Sequence, residues 1–224
     1  MNILKLCWGI AIISLLTSLY LINTLPEGLQ LPIHWNIDGE VDRYAEAPIA
    51  FIFPPAVNIL ILSIFSILSK LDPRKKNIQL SHKSIAAFSL CITLLMLTIE
   101  ASYIAMANGI QVPMMMVVGL TVGILLIVTG NYLGKTRSNF FIGIRTPWTL
   151  SSDAVWQKTH LLAGKLFMIA GLIIVICCLF IPISNLGSLV IFTVLPSALI
   201  PCIYSWWLWK VEQNDDQSSN EQFK

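Results

Sequence analysis

Apolar residues in this chain gather into six long runs, Leu6 to Leu25, Ile49 to Ser69, Ile85 to Ala107, Pro113 to Leu133, Leu161 to Ile181 and Leu186 to Trp209, with short polar stretches between them. A hydrocarbon core roughly 30 Å thick takes about 20 apolar residues of helix to cross, so each run predicts one transmembrane span. Helices satisfy their backbone polar groups segment by segment, which lipid demands of any spanning element. The predicted fold is therefore all-α, a six-transmembrane-helix bundle forming one domain over residues 1–210. A structured outer loop is expected at 26–48, a cytoplasmic interfacial segment at 134–160 and a polar, disordered tail at 211–224. Lys5 ahead of the first run resembles the start of a signal peptide, but Leu25-Pro26-Glu27 offers no small-x-small cleavage site, so that run reads as a retained helix.

Composition agrees with the pattern. Hydrophobic residues make up 56% of the 224 and charged residues 12%, where a soluble domain carries about 25% charged residues. Charge then orients the bundle, because cytoplasmic loops hold Lys and Arg. Thirteen of the 14 basic residues flank one side, and only Arg43 lies in a loop on the other. Both termini are expected in the cytoplasm of a multi-pass protein of the bacterial cytoplasmic membrane. The first loop, with Glu27, Asp38, Glu40, Asp42 and Glu46, is expected to face outward. A basic inner face of this kind suits anionic lipid headgroups of the bilayer rather than nucleic acid. Trp8, Tyr132, Trp156, Trp206, Trp207 and Trp209 fall at that interface as aromatic anchors.

Familiar reactive motifs are missing. All five cysteines lie within spans, the three histidines are far apart in sequence, and there is no HExxH, CxxC, GxSxG or P-loop pattern. No cofactor, metal or catalytic constellation is expected, and the chain is read as a non-enzyme. Glu100 is the exception to this plainness: it is the one acidic residue inside an apolar run. A carboxyl at membrane depth is costly enough to mark a functional candidate. It lies 7 residues before Ala107, roughly 10 Å from the outer end of its span. Ser89, Thr93 and Glu100 share one helical face, which predicts a polar seam with Asn58 and Thr121 or Thr129 as candidate partners. Whether Glu100 is structural, proton-carrying or ligand-binding stays open at this point.

Two polar segments carry further signal. In the outer loop, Asn36 to Gly39 is turn chemistry that a hairpin or an Asx-type turn would satisfy. In the inner segment, Pro147 ends whatever precedes it, and Ser151 or Ser152 followed by Asp153 is a helix start that runs into the fifth span with Asp153, Trp156 and His160 on one face. Arg145, Trp148, Trp156 and His160 are expected to form one ordered unit. Gly119 with Gly123 and Gly130 with Gly134 are small-xxx-small pairs, read as packing within the chain ahead of a homodimer contact. Pro54 and Pro55 either mark the start of the second helix or unwind its first turn, and Pro196 and Pro201 interrupt the sixth.

The sequence His34-Trp-Asn-Ile-Asp-Gly-Glu-Val-Asp-Arg-Tyr, together with Gly130-Asn, Asn139, Gly143-Ile-Arg-Thr-Pro-Trp-Thr-Leu and Val155-Trp-Gln-Lys-Thr-His160, resembles the SdpI-type membrane proteins of bacteria, with both motifs in the expected order. The resemblance implies protection against a secreted peptide toxin and, as in the type member, sequestration of a cytoplasmic repressor at the membrane. The candidate toxin-facing residues are His34, Trp35, Asn36, Gly39, Asp42, Arg43 and Glu100. Those of the inner motif or partner-docking surface are Asn131, Asn139, Gly143, Arg145, Thr146, Pro147, Trp148, Trp156 and His160. The rival from a different class is a proton-coupled transporter of a small molecule or peptide, in which proline-broken spans would line the site.

Overall fold

The computed structural model describes residues 3–222. Among the described residues six helices are long and apolar enough to cross a membrane: α1 (Ile3–Thr24), α2 (Ala47–Leu71), α4 (His82–Ala107), α5 (Met114–Leu133), α7 (Asp153–Phe180) and α8 (Leu186–Gln222). Two short helices, α3 (Lys75–Leu80) and α6 (Pro147–Ser151), lie in the connectors, and two strands, β1 (Gln30–Trp35) and β2 (Val41–Glu46), lie between α1 and α2. The hairpin and the connectors with α3 and α6 mark opposite ends of the bundle, called here the hairpin end and the basic end.

The helices form two groups. α1, α2 and α4 pack on one another, as do α5, α7 and α8, and α4 against α5 joins them. Burial is inverted relative to a soluble bundle, because lipid is as apolar as leucine and helix contacts select small and hydrogen-bonding residues. Ser14, Ser18, Asn58, Ser89 and Thr93 are buried, while Ile13, Phe180 and Phe192 are exposed. The closest contact is α5 against α7. A Cβ on Gly130 would meet the Gly164 carbonyl oxygen at 2.5 Å, and one on Gly171 would meet that of Gly123 at 2.4 Å. The small-residue pairs of α5 therefore serve packing within the chain.

The prolines do not break the helices as the sequence suggested. α2 starts at Ala47, upstream of Pro54 and Pro55, and α8 runs unbroken through Pro196 and Pro201. Pro55 removes the N–H that would bond the Phe51 carbonyl. That carbonyl instead accepts from Ser18 Oγ of α1 at 2.8 Å. The expected end at residue 210 and disordered tail also differ from what is observed, since α8 continues to Gln222. No Gly or Pro stops it after Lys210, and Ser152 Oγ donates to Glu212 Oε1 at 2.9 Å, anchoring the extension to the start of α7. Residues 223 and 224 of that tail lie outside the described residues.

Between α1 and α2 the hairpin and the Asx-type turn are both present. Asn36 Oδ1 accepts from the N–H groups of Asp38 (3.0 Å) and Glu40 (2.9 Å), and Gly39 turns the chain at φ +79°. The antiparallel register is irregular around His34, leaving Ile33 and Asp42 without a strand partner. The base of the hairpin packs through Leu31 into a core with Ala50, Phe51, Tyr103 and Met114. Its tip reaches across to α8, where a Cβ on Gly187 would lie 2.5 Å from the Ile37 carbonyl oxygen.

If the α5–α7 contact holds the second group together, Gly130→Ala forces these helices apart and costs about 1–3 kcal/mol. Gly9→Ala, at a helical site with no atom within 4 Å, leaves stability unchanged or raises it. Thermal unfolding in detergent compares the two variants, and equal losses would contradict the packing role.

Candidate functional site

At the hairpin end the chain builds an apolar cavity of about 280 Å³. Trp35 and Ile33 of β1 form one wall, and Ala50 and Phe53 of α2, Tyr103 of α4 and Met114 of α5 form the others. Phe51 and Tyr103 brace it edge to face, with ring centroids 6.2 Å apart. Apolar walls with few polar groups suit an apolar side chain or an acyl chain.

The predicted outer residues divide around this cavity. Trp35 lines it. His34 faces away, exposed, with Nδ1 2.6 Å from Asp42 Oδ1. An exposed pair of this kind contributes about 0–1 kcal/mol, so its main effect is to fix the two side chains against each other. Asn36 and Gly39 form the turn, and Arg43 is exposed opposite His34 in the strand register.

Glu100 belongs elsewhere. It is 2% exposed and faces α1, beside a groove between α1 and α4 rather than the hairpin cavity. Its partners are also not those expected. Asn58 Oδ1 accepts from Thr93 Oγ1 at 3.1 Å and Thr121 bonds the Val117 carbonyl, while the Glu100 carboxyl meets Ser14 Oγ and Ser18 Oγ, the latter at 3.0 Å. The predicted seam of Ser89, Thr93 and Glu100 is buried as a face, but α1 supplies the partners because its small serines let α4 approach. Ser18 has a single hydroxyl hydrogen and two acceptors in reach, the Phe51 carbonyl and Glu100. Ser18 therefore stands between the two acceptors and links Glu100 of α4 through α1 to Phe51 of α2.

The inner motif folds into a clamp at the basic end. Asn139 is fully buried. Its Oδ1 accepts from the N–H groups of Phe141 (2.9 Å) and Ile142 (2.7 Å), and its Nδ2 donates to the carbonyls of Arg137 (2.7 Å) and Ile142 (3.2 Å). Every hydrogen-bonding site of that amide shapes the loop. His160 Nε2 accepts from the Ile144 N–H at 2.9 Å, and Nδ1 faces the Trp156 carbonyl at 2.8 Å. The proton therefore sits on Nδ1 of a neutral imidazole. Trp156 stacks on His160 with centroids 4.0 Å apart and donates Nε1–H to the Thr136 carbonyl. Gly143 passes directly over the ring: its φ is +105°, and a Cβ there would lie 2.2 Å from His160 Nε2.

Other motif residues support this clamp or lie outside it. Thr146 caps α6 in a reciprocal box with Thr149, and Pro147 occupies the first helical position, where its missing N–H costs nothing. Of the two serines the sequence offers, Ser152 caps α7. Arg145 and Trp148 do not join the Trp156–His160 stack: Arg145 is exposed and donates to the Phe140 carbonyl at 2.7 Å, and Trp148 is half-buried on α6. Asn131 is exposed and accepts from Lys135 Nζ. Sequence reasoning missed the other jaw. Asp72, fully buried, accepts from the N–H groups of Arg74 (2.6 Å) and Phe140 (2.9 Å). Arg74 reaches Ser138 Oγ and the Leu150 carbonyl and lies over the Phe140 ring, and Asn77 donates to the Ser138 carbonyl. A lone acid in a loop otherwise counted for its positive charge was the available signal.

Comparison with known proteins is consistent with this layout. Residues 135–205 match the SdpI/YfhL protein family, and residues 9–59 match a domain of unknown function, DUF1648. The immunity protein SdpI of Bacillus subtilis (strain 168) is 30% identical over 171 residues, which cover 76% of this chain and 79% of that protein. No solved structure matches the chain.

The Gly143–His160 contact gives a sharp expectation. Gly143→Ala suffers both the positive φ and the collision with the imidazole, whereas Gly109→Ala, at φ +80° with no atom within 4 Å, suffers the φ alone. The first should cost more than about 2 kcal/mol and the second about 1–2. Thermal unfolding and proteolytic cutting in the 134–146 loop read the difference, and equal behaviour would contradict the contact.

Proposed function

Because this chain belongs to the SdpI/YfhL family, we propose that it is an integral membrane immunity protein that protects its cell from a secreted antimicrobial peptide. The observation that carries this reading is the apolar cavity under the hairpin, together with the charge of the hairpin that covers it, where exposed Asp38, Glu40, Asp42 and Glu46 outnumber the single Arg43. An acidic hairpin draws a cationic peptide to the membrane face. Trp35 and the cavity then take an apolar residue of that peptide and hold it away from productive insertion. Glu100, with its oxygens held by serines, braces the site from behind rather than meeting the peptide. The hairpin end faces outward in this reading, with both termini in the cytoplasm, as the distribution of Lys and Arg favours. Sequestration of a cytoplasmic repressor would fall to the clamp at the basic end. The transporter alternative rested on broken spans, and α2 and α8 are continuous through their prolines.

Expression in a peptide-sensitive strain should raise survival against the cognate secreted peptide, with the peptide recovered chemically intact by mass spectrometry. Trp35→Ala should lower survival at equal membrane abundance, by the loss of one buried aromatic contact, about 1–3 kcal/mol of binding or five- to a hundredfold in effective peptide concentration. Recovery of a cleaved or modified peptide dependent on the chain would contradict a non-enzymatic mechanism.

Orientation has its own check. Glu40→Cys in the turn should react with an impermeant thiol reagent on intact cells and Lys75→Cys in α3 should not, both positions being exposed. The reverse labelling would overturn the assignment of faces.

A further inference from the structure

A second concavity, at the basic end, has no part in the site under the hairpin. It measures about 800 Å³ and lies between α3, the loop after α5 and the first turns of α7. Lys76, Lys135 and Arg137 line it, with Asp153 as the one acid, so its walls carry a net charge of +2 from three cations and one carboxylate. Leu80 stands on the same rim, 57% exposed.

The cations are held on fixed backbone. The Arg137 N–H donates to Ser81 Oγ at 3.0 Å, the preceding Thr136 carbonyl accepts from Trp156, and the following Ser138 is gripped by Arg74 and Asn77. Lys135 Nζ is tethered to Asn131 Oδ1 at 3.2 Å and lies 5.0 Å from the Tyr132 ring centroid. Three cations line one polar hollow, and an anion in the hollow offsets their mutual repulsion. The guanidinium fork of Arg137 matches phosphate oxygens.

We propose that this cavity holds the phosphate of an anionic phospholipid whose headgroup bears hydroxyl groups, as phosphatidylglycerol does. The three cations take the phosphate. Asp153 accepts a hydrogen bond from a headgroup hydroxyl, which a bare phosphate lacks. Leu80, exposed at the rim, is covered by the start of an acyl chain, whereas a free phosphate would leave it bare. Basic pockets at helix ends are suited to such headgroups.

The test uses the full-length chain in nanodiscs of phosphatidylcholine doped with phosphatidylglycerol, with bound lipid counted by native mass spectrometry. Wild type should retain phosphatidylglycerol in preference to phosphatidylcholine, and Lys76→Gln, Lys135→Gln and Arg137→Gln should each weaken retention about fivefold. Lys5→Gln and Lys210→Gln, basic positions outside the cavity, should leave it unchanged. Thermal unfolding in pure phosphatidylcholine discs checks that the cavity variants remain folded, since their side chains are exposed. Equal losses in the cavity and control variants would reduce the effect to general surface charge and overturn the site. Displacement of phosphatidylglycerol by excess inorganic phosphate would identify a free-phosphate site and overturn the lipid assignment.

Discussion

A carbonyl at residue 51 has lost its helical partner because residue 55 is proline, and inside a bilayer no water stands ready to replace it. The arrangement of α1, α2 and α4 follows from how that carbonyl is satisfied. Ser18 of α1 bonds it, Glu100 of α4 bonds Ser18, and Ser14 of α1 closes on the other carboxyl oxygen. One polar chain thus ties three helices at the depth where α2 carries Ala50 and Phe53 into the cavity wall. A carboxyl that would be costly alone is stabilised there by a serine hydroxyl on each oxygen.

The two ends of the protein are stiffened by different means. Under the hairpin, apolar packing around Phe51 and Tyr103 does most of the work, and the hairpin spans from the α2–α4–α5 core to the start of α8 like a strap. At the basic end, the loop after α5 has little regular structure of its own. Its backbone polar groups are therefore satisfied by side chains: Asn139 from within, Asp72 and Asn77 from the α2–α3 region, and His160 from α7. The α5–α7 glycine contact brings the His160 ring close under Gly143. A peptide meeting the hairpin and a headgroup meeting the basic end would thus act on opposite faces of one packed body.

The spans were legible because lipid imposes a single strong rule on length and apolarity, and all six runs became helices with ends displaced by a few residues, apart from α7, which starts eight residues early at its Ser152 cap, and α8, which overruns its apolar stretch. The hairpin turn was legible through Asn36 and Gly39, whose chemistry is local. The misreadings all concern contacts distant in sequence. Asn58 and Thr121 or Thr129 were the candidate partners for Glu100, but helix order in sequence does not say which neighbour a buried face meets, and α1 won with small serines. Pro54 and Pro55 looked like a helix start or an unwound first turn because their penalty was judged locally, while Ser18, far away on α1, takes the carbonyl that Pro55 orphans. Arg145 was placed in one ordered unit with Trp148, Trp156 and His160, yet Gly143 turns the chain so that the imidazole bonds Ile144 and leaves Arg145 outside. Asp72 went unnoticed for the same reason: its value lies in Phe140, 68 residues on.

The dependence of the hairpin end on the Glu100 chain is tested most directly by comparing Glu100→Gln with Glu100→Leu in thermal unfolding of the purified protein in detergent. Gln offers an N–H for Ser18 and a carbonyl oxygen for Ser14, so the account predicts stability close to wild type across the neutral pH range. Leu offers neither, leaving Ser14 without its partner and Ser18 with the Phe51 carbonyl alone, a loss of about 1–3 kcal/mol. A Gln variant as unstable as the Leu variant would contradict the account, because the carboxyl would then be acting through its charge.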